Sequence, residues 1–244
     1  MNIGLIVDVE TTGLDSKKDV VIEVGLCEIS WGDDMVATIT RMYSGLQDPG
    51  VPLSPEVQQL TGLTSESLTG QSIDWGVVSS MWEKASVVIA HNADFDRSFL
   101  SRLPQLSGPA KHWACSVRHI DWYGKGFGTR KLSYLAAEHG FVNSFAHRAL
   151  FDCATTFRLI KPHLQELIQK SHEPEIKFLA TGSPFETKDV LRAAGYRWDP
   201  DARVWHKTTT SDKADAERQF LREKVYGGSP RHTEETIWFN AANT

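Results

Sequence analysis

The sequence contains few cysteines, and none of them lies in an arrangement typical of a metal or disulfide framework. Cys27, Cys115 and Cys153 are the three cysteines in a chain of 244 residues, and no Cys-x-x-Cys pair occurs. An odd number of widely spaced cysteines indicates neither a zinc site nor a set of disulfides. Cys27 and Cys153 fall in apolar-periodic segments, so we expect them to be buried thiols.

Long apolar segments and a positive net charge are also absent from the sequence. No run approaches the roughly 20 apolar residues of a membrane helix, and the N-terminal MNIGLIVDVE is too short and too acidic for a signal peptide. We therefore expect no membrane partner and a reducing, cytoplasmic compartment. The formal net charge of −5 does not by itself favour nucleic acid, although bound cations could offset a cluster of carboxylates.

The first 170 residues show strands followed by alternating helices and strands. Residues 3–8, 20–30 and 34–43 predict three strands, and Trp31-Gly-Asp-Asp predicts a hairpin between the last two. A short strand at 86–90 and helices beginning near Ser54 and Thr64 are also predicted, with further helices at 73–84, 93–103, 131–139 and 148–170. This order is typical of a domain that combines a sheet with helices.

Two carboxylates lie at the end of the first predicted strand. Asp8 and Glu10 follow the apolar run Ile3–Val7, and they project to the same side because strand side chains alternate between faces. Two carboxylates so close together repel each other unless a cation or shared protons relieve the charge. Taken alone, such a pair more often consists of solvated residues at a strand end.

A histidine and an aspartate lie five residues apart near the start of the predicted helix 148–170. On a helix this spacing corresponds to about 140°, so His147 and Asp152 would not share a face. We therefore expect His147 in the loop before the helix and Asp152 in its opening turns. Imidazole titrates near neutral pH and is a reasonable general base, although a single histidine is usually unconnected to chemistry.

Three blocks of this chain resemble the Exo I, II and III motifs of the DEDDh 3′→5′ exonucleases, which include the proofreading subunit of DNA polymerase III, ribonuclease T and exonuclease X. The blocks are VDVETTGL at 7–14, HNADFD at 91–96 and HRALFD at 147–152. GLT at 62–64 and KLSYLAAEHG at 131–140 add to the resemblance. One departure is Thr61, where many relatives have histidine, and it leaves a substrate contact at that position in doubt.

The resemblance implies an α/β fold, a ribonuclease-H-like mixed sheet flanked by helices. It also implies two Mg²⁺ ions, replaceable by Mn²⁺, that activate water and steady the leaving oxygen. The implied metal ligands are four carboxylates, with Asp8 bridging the ions, and the implied catalytic set adds a histidine. These five residues are Asp8, Glu10, Asp96, His147 and Asp152.

The block HNADFD contains two aspartates, and only one of them matches the family pattern. The ligand is the aspartate directly after the aromatic residue, which is Asp96. Asp94 occupies a variable position, and we expect it at a helix start, where a carboxylate suits the positive end of the helix dipole.

Residues beside the implied ligands are candidates for substrate binding. Leu14 and Phe95 are candidate wedges against the last base, because apolar and aromatic faces stack on bases without reading sequence. Either side chain could instead belong to the core, and His91 could support the loop. The full set of substrate-binding candidates is Thr11, Thr12, Gly13, Leu14, Asn92 and Phe95.

The function implied by the resemblance is metal-dependent hydrolysis from single-stranded or frayed 3′ ends of DNA or RNA, with release of nucleoside 5′-monophosphates. The choice of DNA or RNA, a polymerase or repair partner and the oligomeric state all stay open. One alternative is a non-catalytic nucleic-acid-binding or scaffold protein with the same fold, against which the presence of all five residues argues. Another is a ribonuclease-H-like endonuclease, which fits the carboxylates but not the spacing of His147 and Asp152.

The rest of the chain predicts a small accessory unit. We divide the sequence into an exonuclease domain (1–170), a linker (171–176), a small α+β domain (177–227) and a tail (228–244). A helix at 186–194 precedes a predicted hairpin on which Arg203, Trp205 and Lys207 alternate onto one face. That face could be a stacking platform for single strands, but in so small a unit the tryptophans could instead form the core.

Overall fold

The computed structural model describes residues 1–229 and 231–240, which form two compact units. The first unit is Met1–Ser171 and the second begins at His172. Residues 233–237 of the predicted tail form a strand of the second unit's sheet. Residues 230 and 241–244 of that tail fall outside the described residues. Within the described ranges no helix has both the length and the apolar character needed to cross a bilayer.

A mixed sheet forms the centre of the first unit. Its order is β3-β2-β1-β4-β5; β1, β2 and β3 pair antiparallel, and β4 and β5 continue the sheet in parallel with β1. The predicted strands and hairpin are confirmed, whereas β5 was missed because its residues, His-Trp-Ala-Cys, include no β-branched residue to mark a strand. The strands are β1 (Asn2–Thr11), β2 (Val21–Trp31), β3 (Thr38–Leu46), β4 (Val87–Ala90) and β5 (His112–Cys115).

Helices cover this sheet, and the longest predicted helix is interrupted. Residues 148–170 form two helices separated by a 3₁₀ turn at Lys161–His163, because Pro162 has no N–H to donate and its ring crowds the preceding turn. The helices are α1 (Pro55–Thr61), α2 (Ser65–Leu68), α3 (Trp75–Lys84), α4 (Ala93–Leu100), α5 (Ser116–His119), α6 (Leu132–Glu138), α7 (Ala149–Ile160) and α8 (Leu164–Ser171).

Helix α7 packs directly on the sheet, and a glycine permits the contact. A Cβ atom at Gly25 of β2 would lie 2.3 Å from the carbonyl carbon of Ala149, so no larger residue fits without moving the helix. Cys153, one turn further along, is fully buried and donates its thiol to the Gly25 carbonyl oxygen at 3.2 Å. The start of α7 is therefore held close to β1 and β2, and the three cysteines are buried free thiols.

The second unit contains an antiparallel sheet of order β7-β8-β6-β9. The predicted hairpin of β7 and β8 is confirmed, whereas β6 and β9 were not predicted. The strands are β6 (Glu175–Leu179), β7 (Arg197–Asp199), β8 (Val204–Thr210) and β9 (Thr233–Ile237); the helices are α9 (Lys188–Ala193) and α10 (Ala214–Phe220), and a π-helical turn, Leu221–Val225, follows α10.

The structure favours the core interpretation of the second unit over the stacking platform. Trp205 packs against the core of this unit, and the ammonium group of Lys207 binds the buried carboxylate of Glu217. Tyr196, also buried, donates its hydroxyl to the same carboxylate at 2.8 Å. Arg203 precedes β8 and has a φ of 50°, so it lies in the turn. Trp205 and Lys207 therefore share a covered face of β8, and Arg203 is not part of that strand.

Candidate active site

Strand β1 places Asp8 and Glu10 on the same side of the sheet at the strand's C-terminal end. Asp8 is half-buried, and Glu10 is 9% exposed and faces Glu23 of β2 in the strand register. The register shifts after Glu10, between it and Thr11. The alternation of strand side chains therefore predicted this pair correctly.

The two aspartates of HNADFD have different surroundings. Asp96, in the first turn of α4, is 3% exposed and accepts a hydrogen bond from the backbone N–H of Val9 at 3.1 Å. Since Val9 lies between Asp8 and Glu10, this bond holds Asp96 beside the strand end. Asp94 is exposed and forms an ion pair with Arg118.

His147 and Asp152 lie where their spacing predicted. His147 is exposed in the loop before α7, with a φ of 62°, and Asp152 is buried in the first turn of that helix. The backbone N–H of His147 donates to Asp152 Oδ2 at 3.0 Å, and Asn143 Nδ2 donates to Asp152 Oδ1 at 2.6 Å. Both carboxylate oxygens of Asp152 therefore hold the loop that contains His147.

The fold brings residues from the first and third blocks together. One ligand atom from each of Glu10, His147 and Asp152 lies within 4.8 Å of the other two. Asp8 and Asp96 are close enough to repel this group electrostatically. Residues far apart in the sequence thus form one acidic cluster with an exposed imidazole at its edge.

Burial and mutual repulsion raise the pKa of each carboxyl in the cluster. For Asp8 the pKa is well above its ordinary value, through burial and then the charge of Asp96. Burial and Asp152 raise the pKa of Glu10 to about 8. Burial raises the pKa of Asp96 to about 7, against hydrogen bonds from its own N–H and that of Val9. Burial also raises the pKa of Asp152, opposed by the bonds from His147 and Asn143.

The donor set suits a hard divalent cation. Carboxylate oxygens are the ligands that Mg²⁺ prefers, and Mn²⁺ accepts the same ligands. A cation would also remove the repulsion that raises these pKa values. The residues present therefore fit the metal ions implied by the sequence.

An ion pair that the motifs did not identify lies next to the cluster. Arg148 donates from Nε to Glu23 Oε2 at 3.0 Å and from Nη2 to Oε1 at 3.2 Å. Glu23 is 1% exposed, and its charge contributes to the raised pKa of Asp8, Glu10 and Asp152. A glutamate within the otherwise apolar stretch 20–27 was the signal that could have identified it.

Asn143 is a second residue that the motifs did not identify. Its side-chain oxygen accepts from the backbone N–H of Phe145 at 3.0 Å while its amide group donates to Asp152. It therefore fixes the turn that leads into His147. No local pattern marks this role, because it depends on a contact with the following helix.

Most of the TTGL segment is tightly hydrogen-bonded, and its tip is exposed. Thr11 is buried and donates its hydroxyl to the Gly13 carbonyl oxygen. Thr12 donates its hydroxyl to Asp19 Oδ1 at 3.1 Å, and a Cβ at Gly13 would lie 2.6 Å from the Asp19 carboxylate. Leu14 is 87% exposed beside these residues, so it is displayed to solvent and is not part of the core.

The HNADFD block combines exposed and supporting side chains. Asn92 is exposed at the start of α4, and Phe95 is half-buried with its ring centroid 5.0 Å from that of Phe99. Burial lowers the pKa of His91 to about 4, so its ring is neutral. Nε2 donates to the Arg130 carbonyl oxygen at 2.7 Å, and Nδ1 accepts from the Ser116 hydroxyl at 2.6 Å. His91 supports the loop, as predicted.

Comparison with known sequences identifies the family of this chain. The model of an exonuclease family, RNase_T, matches residues 5–160. The PolC-type DNA polymerase III of Listeria innocua serovar 6a is 26% identical over 198 residues, which are 78% of this chain and 13% of that polymerase. The PolC-type polymerase of Streptococcus thermophilus is 28% identical over 174 residues, 68% of this chain and 11% of the relative. The chain thus spans about an eighth of these relatives' length.

Comparison with solved structures confirms the predicted fold class. Exonuclease X, in complex with 5′-overhanging duplex DNA, matches with a TM-score of 0.50 and 22% identity over 66% of this chain and 91% of its own. E. coli Exonuclease I, in complex with a dT13 oligonucleotide, matches with a TM-score of 0.60 and 14% identity over 94% of this chain and 75% of its own. The fold is therefore a ribonuclease-H-like mixed sheet flanked by helices, with a second small sheet at the C-terminus.

Proposed function

This chain belongs to the DEDDh-type 3′→5′ exonuclease family, and on that premise we propose that it removes nucleotides from the 3′ ends of nucleic acid. The substrate is a single-stranded or frayed 3′ end, and the products are nucleoside 5′-monophosphates. The observation that supports this most directly is the cluster of Glu10, His147 and Asp152, within 4.8 Å of one another. Asp8 and Asp96 complete the set of five.

The proposed cofactors are two Mg²⁺ ions, held by Asp8, Glu10, Asp96 and Asp152. When bound, such ions lower the pKa of water and offset charge on the phosphoryl oxygens. The raised pKa values of these carboxyls support this assignment, because four crowded acids without a cation favour their neutral forms.

The chain's own residues supply proton transfer and positioning. His147 is the proposed general base, since it is exposed at the edge of the cluster and imidazole can take up a proton near neutral pH. Asn143 and the two oxygens of Asp152 hold its loop in place. Leu14, exposed on its hydrogen-bonded segment, is the proposed wedge against the terminal base.

A partner is also proposed. The sequence relatives are PolC-type polymerase III chains, so we propose association with a DNA polymerase, which co-purification with a polymerase of the same organism would test. Hydrolysis of labelled oligonucleotides by the purified chain does not depend on this association.

Matched 3′-labelled and 5′-labelled DNA and RNA oligonucleotides test the proposed activity. We expect immediate release of labelled mononucleotide from the 3′-labelled strand and a shortening ladder from the 5′-labelled strand, in Mg²⁺ or Mn²⁺ but not in EDTA. Asp8→Ala and Asp152→Ala should abolish release without unfolding the protein. Metal-independent degradation, internal cleavage as the first event, or full activity of Asp8→Ala would contradict the proposal.

A further inference from the structure

Two exposed aromatic side chains border the active site. Phe145 is 56% exposed and Phe151 is 44% exposed. Their ring centroids lie 4.6 Å apart, with 38° between the ring planes. The two rings therefore form one small apolar surface in solvent.

This aromatic pair, Phe145 and Phe151, is fixed to the catalytic residues. Phe151 directly precedes Asp152 on α7, so their Cα atoms are about 3.8 Å apart. Phe145 lies two residues before His147, and its N–H donates to Asn143, which in turn donates to Asp152. A single hydrogen-bonded segment therefore determines the positions of the aromatic pair and of Asp152.

We propose that the aromatic pair is a stacking subsite for a nucleobase next to the scissile phosphate. The inference rests on the proposed function, because a strand whose scissile phosphate is bound at the carboxylate cluster has its neighbouring bases close to that cluster. The aromatic pair lies on the hydrogen-bonded segment that also contains His147 and Asp152. Stacking suits any base, because every base has an aromatic face. An enzyme that removes nucleotides in succession needs this tolerance.

The electrostatics of the site also favour stacking as a source of affinity. The chain has a net charge of −5, and Arg148, the arginine next to the cluster, is already paired with the buried Glu23. Phosphate contacts to lysine and arginine usually supply most of the affinity for nucleic acid. Contacts with the uncharged bases are favourable without any such positive charge.

A protein partner fits the aromatic pair less well than a base does. Aromatic side chains offer about 150–250 Å² each, so two half-exposed rings present about 200 Å². A stable protein interface buries about 800 Å² on each partner. The exposed area is therefore closer to the face of one or two bases than to a subunit interface.

The test uses single-stranded oligonucleotides with one abasic nucleotide at the first, second, third or fourth position from the 3′ end. We expect the abasic nucleotide to raise the KM of the wild type by about 10-fold at one of these positions, within the range typical of aromatic stacking. Phe151→Ala and Phe145→Ala should raise the KM of the intact strand to the same extent. In these variants the discrimination, which is the difference in KM between the abasic and the intact strand, should be lost at that position alone.

Matched variants separate stacking from folding. Phe151→Trp should keep the discrimination, and Phe151→Leu, which keeps the apolar packing, should lose it with an unchanged melting temperature. Met42→Ala, on β3 and 46% exposed, should behave as the wild type. The inference is overturned if the alanine variants discriminate as the wild type does, if Phe151→Trp loses the discrimination, or if gel filtration shows that the variants break a dimer.

A binding measurement distinguishes this inference from the proposed function. Quenching of 2-aminopurine, placed in turn at the same four positions, reports stacking without hydrolysis. If the wild type releases no nucleotide but quenches at one position in a Phe151-dependent manner, the proposed activity fails and the subsite stands. If it releases nucleotides but the quenching is independent of Phe151, the subsite fails and the activity stands.

Discussion

At the scale of single residues, the chemistry of this site depends on which of the two aspartates in HNADFD, Asp94 or Asp96, is buried beside β1. Asp96 accepts from the Val9 N–H and is buried, whereas Asp94 is exposed and paired with Arg118. The same side-chain type thus has two roles within three positions of the sequence. Burial and partners separate the roles, because residue type alone cannot.

We expect Asp96→Asn to abolish nucleotide release and Asp94→Asn to retain most of it. Only Asp96 lies with the other carboxylates, and the amide at this position cannot supply a charged ligand. Steady-state hydrolysis of a 3′-labelled strand measures both variants, and circular dichroism checks that each is folded. Equal losses of activity in the two variants would mean that Asp96 is wrongly assigned as the ligand of the second block.

The Glu23–Arg148 pair predicts a coupling that a double-mutant cycle can measure. Arg148→Met leaves the carboxylate of Glu23 buried without its partner, and we expect a cost of about 1.5–3 kcal/mol in the free energy of unfolding. Glu23→Gln in the same chain should recover much of this cost, because the amide needs no counter-charge.

Urea unfolding in EDTA measures the four members of this cycle, with Arg148→Lys as the variant that keeps the charge but not the two parallel bonds. We expect Arg148→Lys to unfold between Arg148→Met and the wild type. Strictly additive costs in the double mutant would mean that the pair contributes no coupling.

At the scale of elements, the approach of α7 to β2 brings the third block to the first. Gly25 makes this possible, since a Cβ there would meet Ala149 at 2.3 Å. We expect Gly25→Ala to cost about 1–3 kcal/mol through overpacking. It should also reduce nucleotide release more than 10-fold, because Asp152 and His147 move with the helix.

Gly32→Ala is the matched control for this prediction. Its added methyl would lie 3.5 Å from Asp34 Oδ1, an ordinary contact, so we expect wild-type kcat and little change in stability. Wild-type activity in Gly25→Ala would show that the position of α7 tolerates displacement, contrary to the packing argument.

At the scale of the whole molecule, the crowded carboxylates predict that stability without metal falls as the solution becomes alkaline. The pKa of Glu10 is raised to about 8 and that of Asp96 to about 7, so the folded state binds more protons than the unfolded state above pH 4.5. Their stabilising contribution is complete at low pH and is lost as pH rises through the folded pKa values. The neutral His91 has the opposite effect on stability, which it lowers as pH falls, but only below about pH 6.5.

We therefore expect the metal-free protein to lose about 1–2 kcal/mol of stability between pH 6.5 and pH 8. Calorimetry in EDTA at several pH values measures this loss, and Glu10→Gln should flatten it. Excess Mg²⁺ should remove the decline, because metal binds the deprotonated carboxylates. If the stability of the Glu10→Gln variant falls as steeply with pH as that of the wild type, the raised pKa of Glu10 is not the cause of the decline.

The sequence by itself determined the parts of this protein that depend on short-range patterns. Alternation along β1 placed Asp8 and Glu10 on one side, and a five-residue spacing placed His147 outside α7 and Asp152 within it. These relations follow from the repeat of a strand or a helix, so they hold wherever the element lies. The three blocks in order also indicated the fold class, which the comparisons confirm.

Only the tertiary structure decided the relations that join distant segments. Glu23 and Arg148 are 125 positions apart, and nothing local pairs them; the short strands β5, β6 and β9 exist because neighbouring strands complete their hydrogen bonds. The alternation of Trp205 and Lys207 was visible in the sequence, but which face the helices cover was not. Periodicity gives the relative orientation of side chains, whereas burial depends on what packs against them.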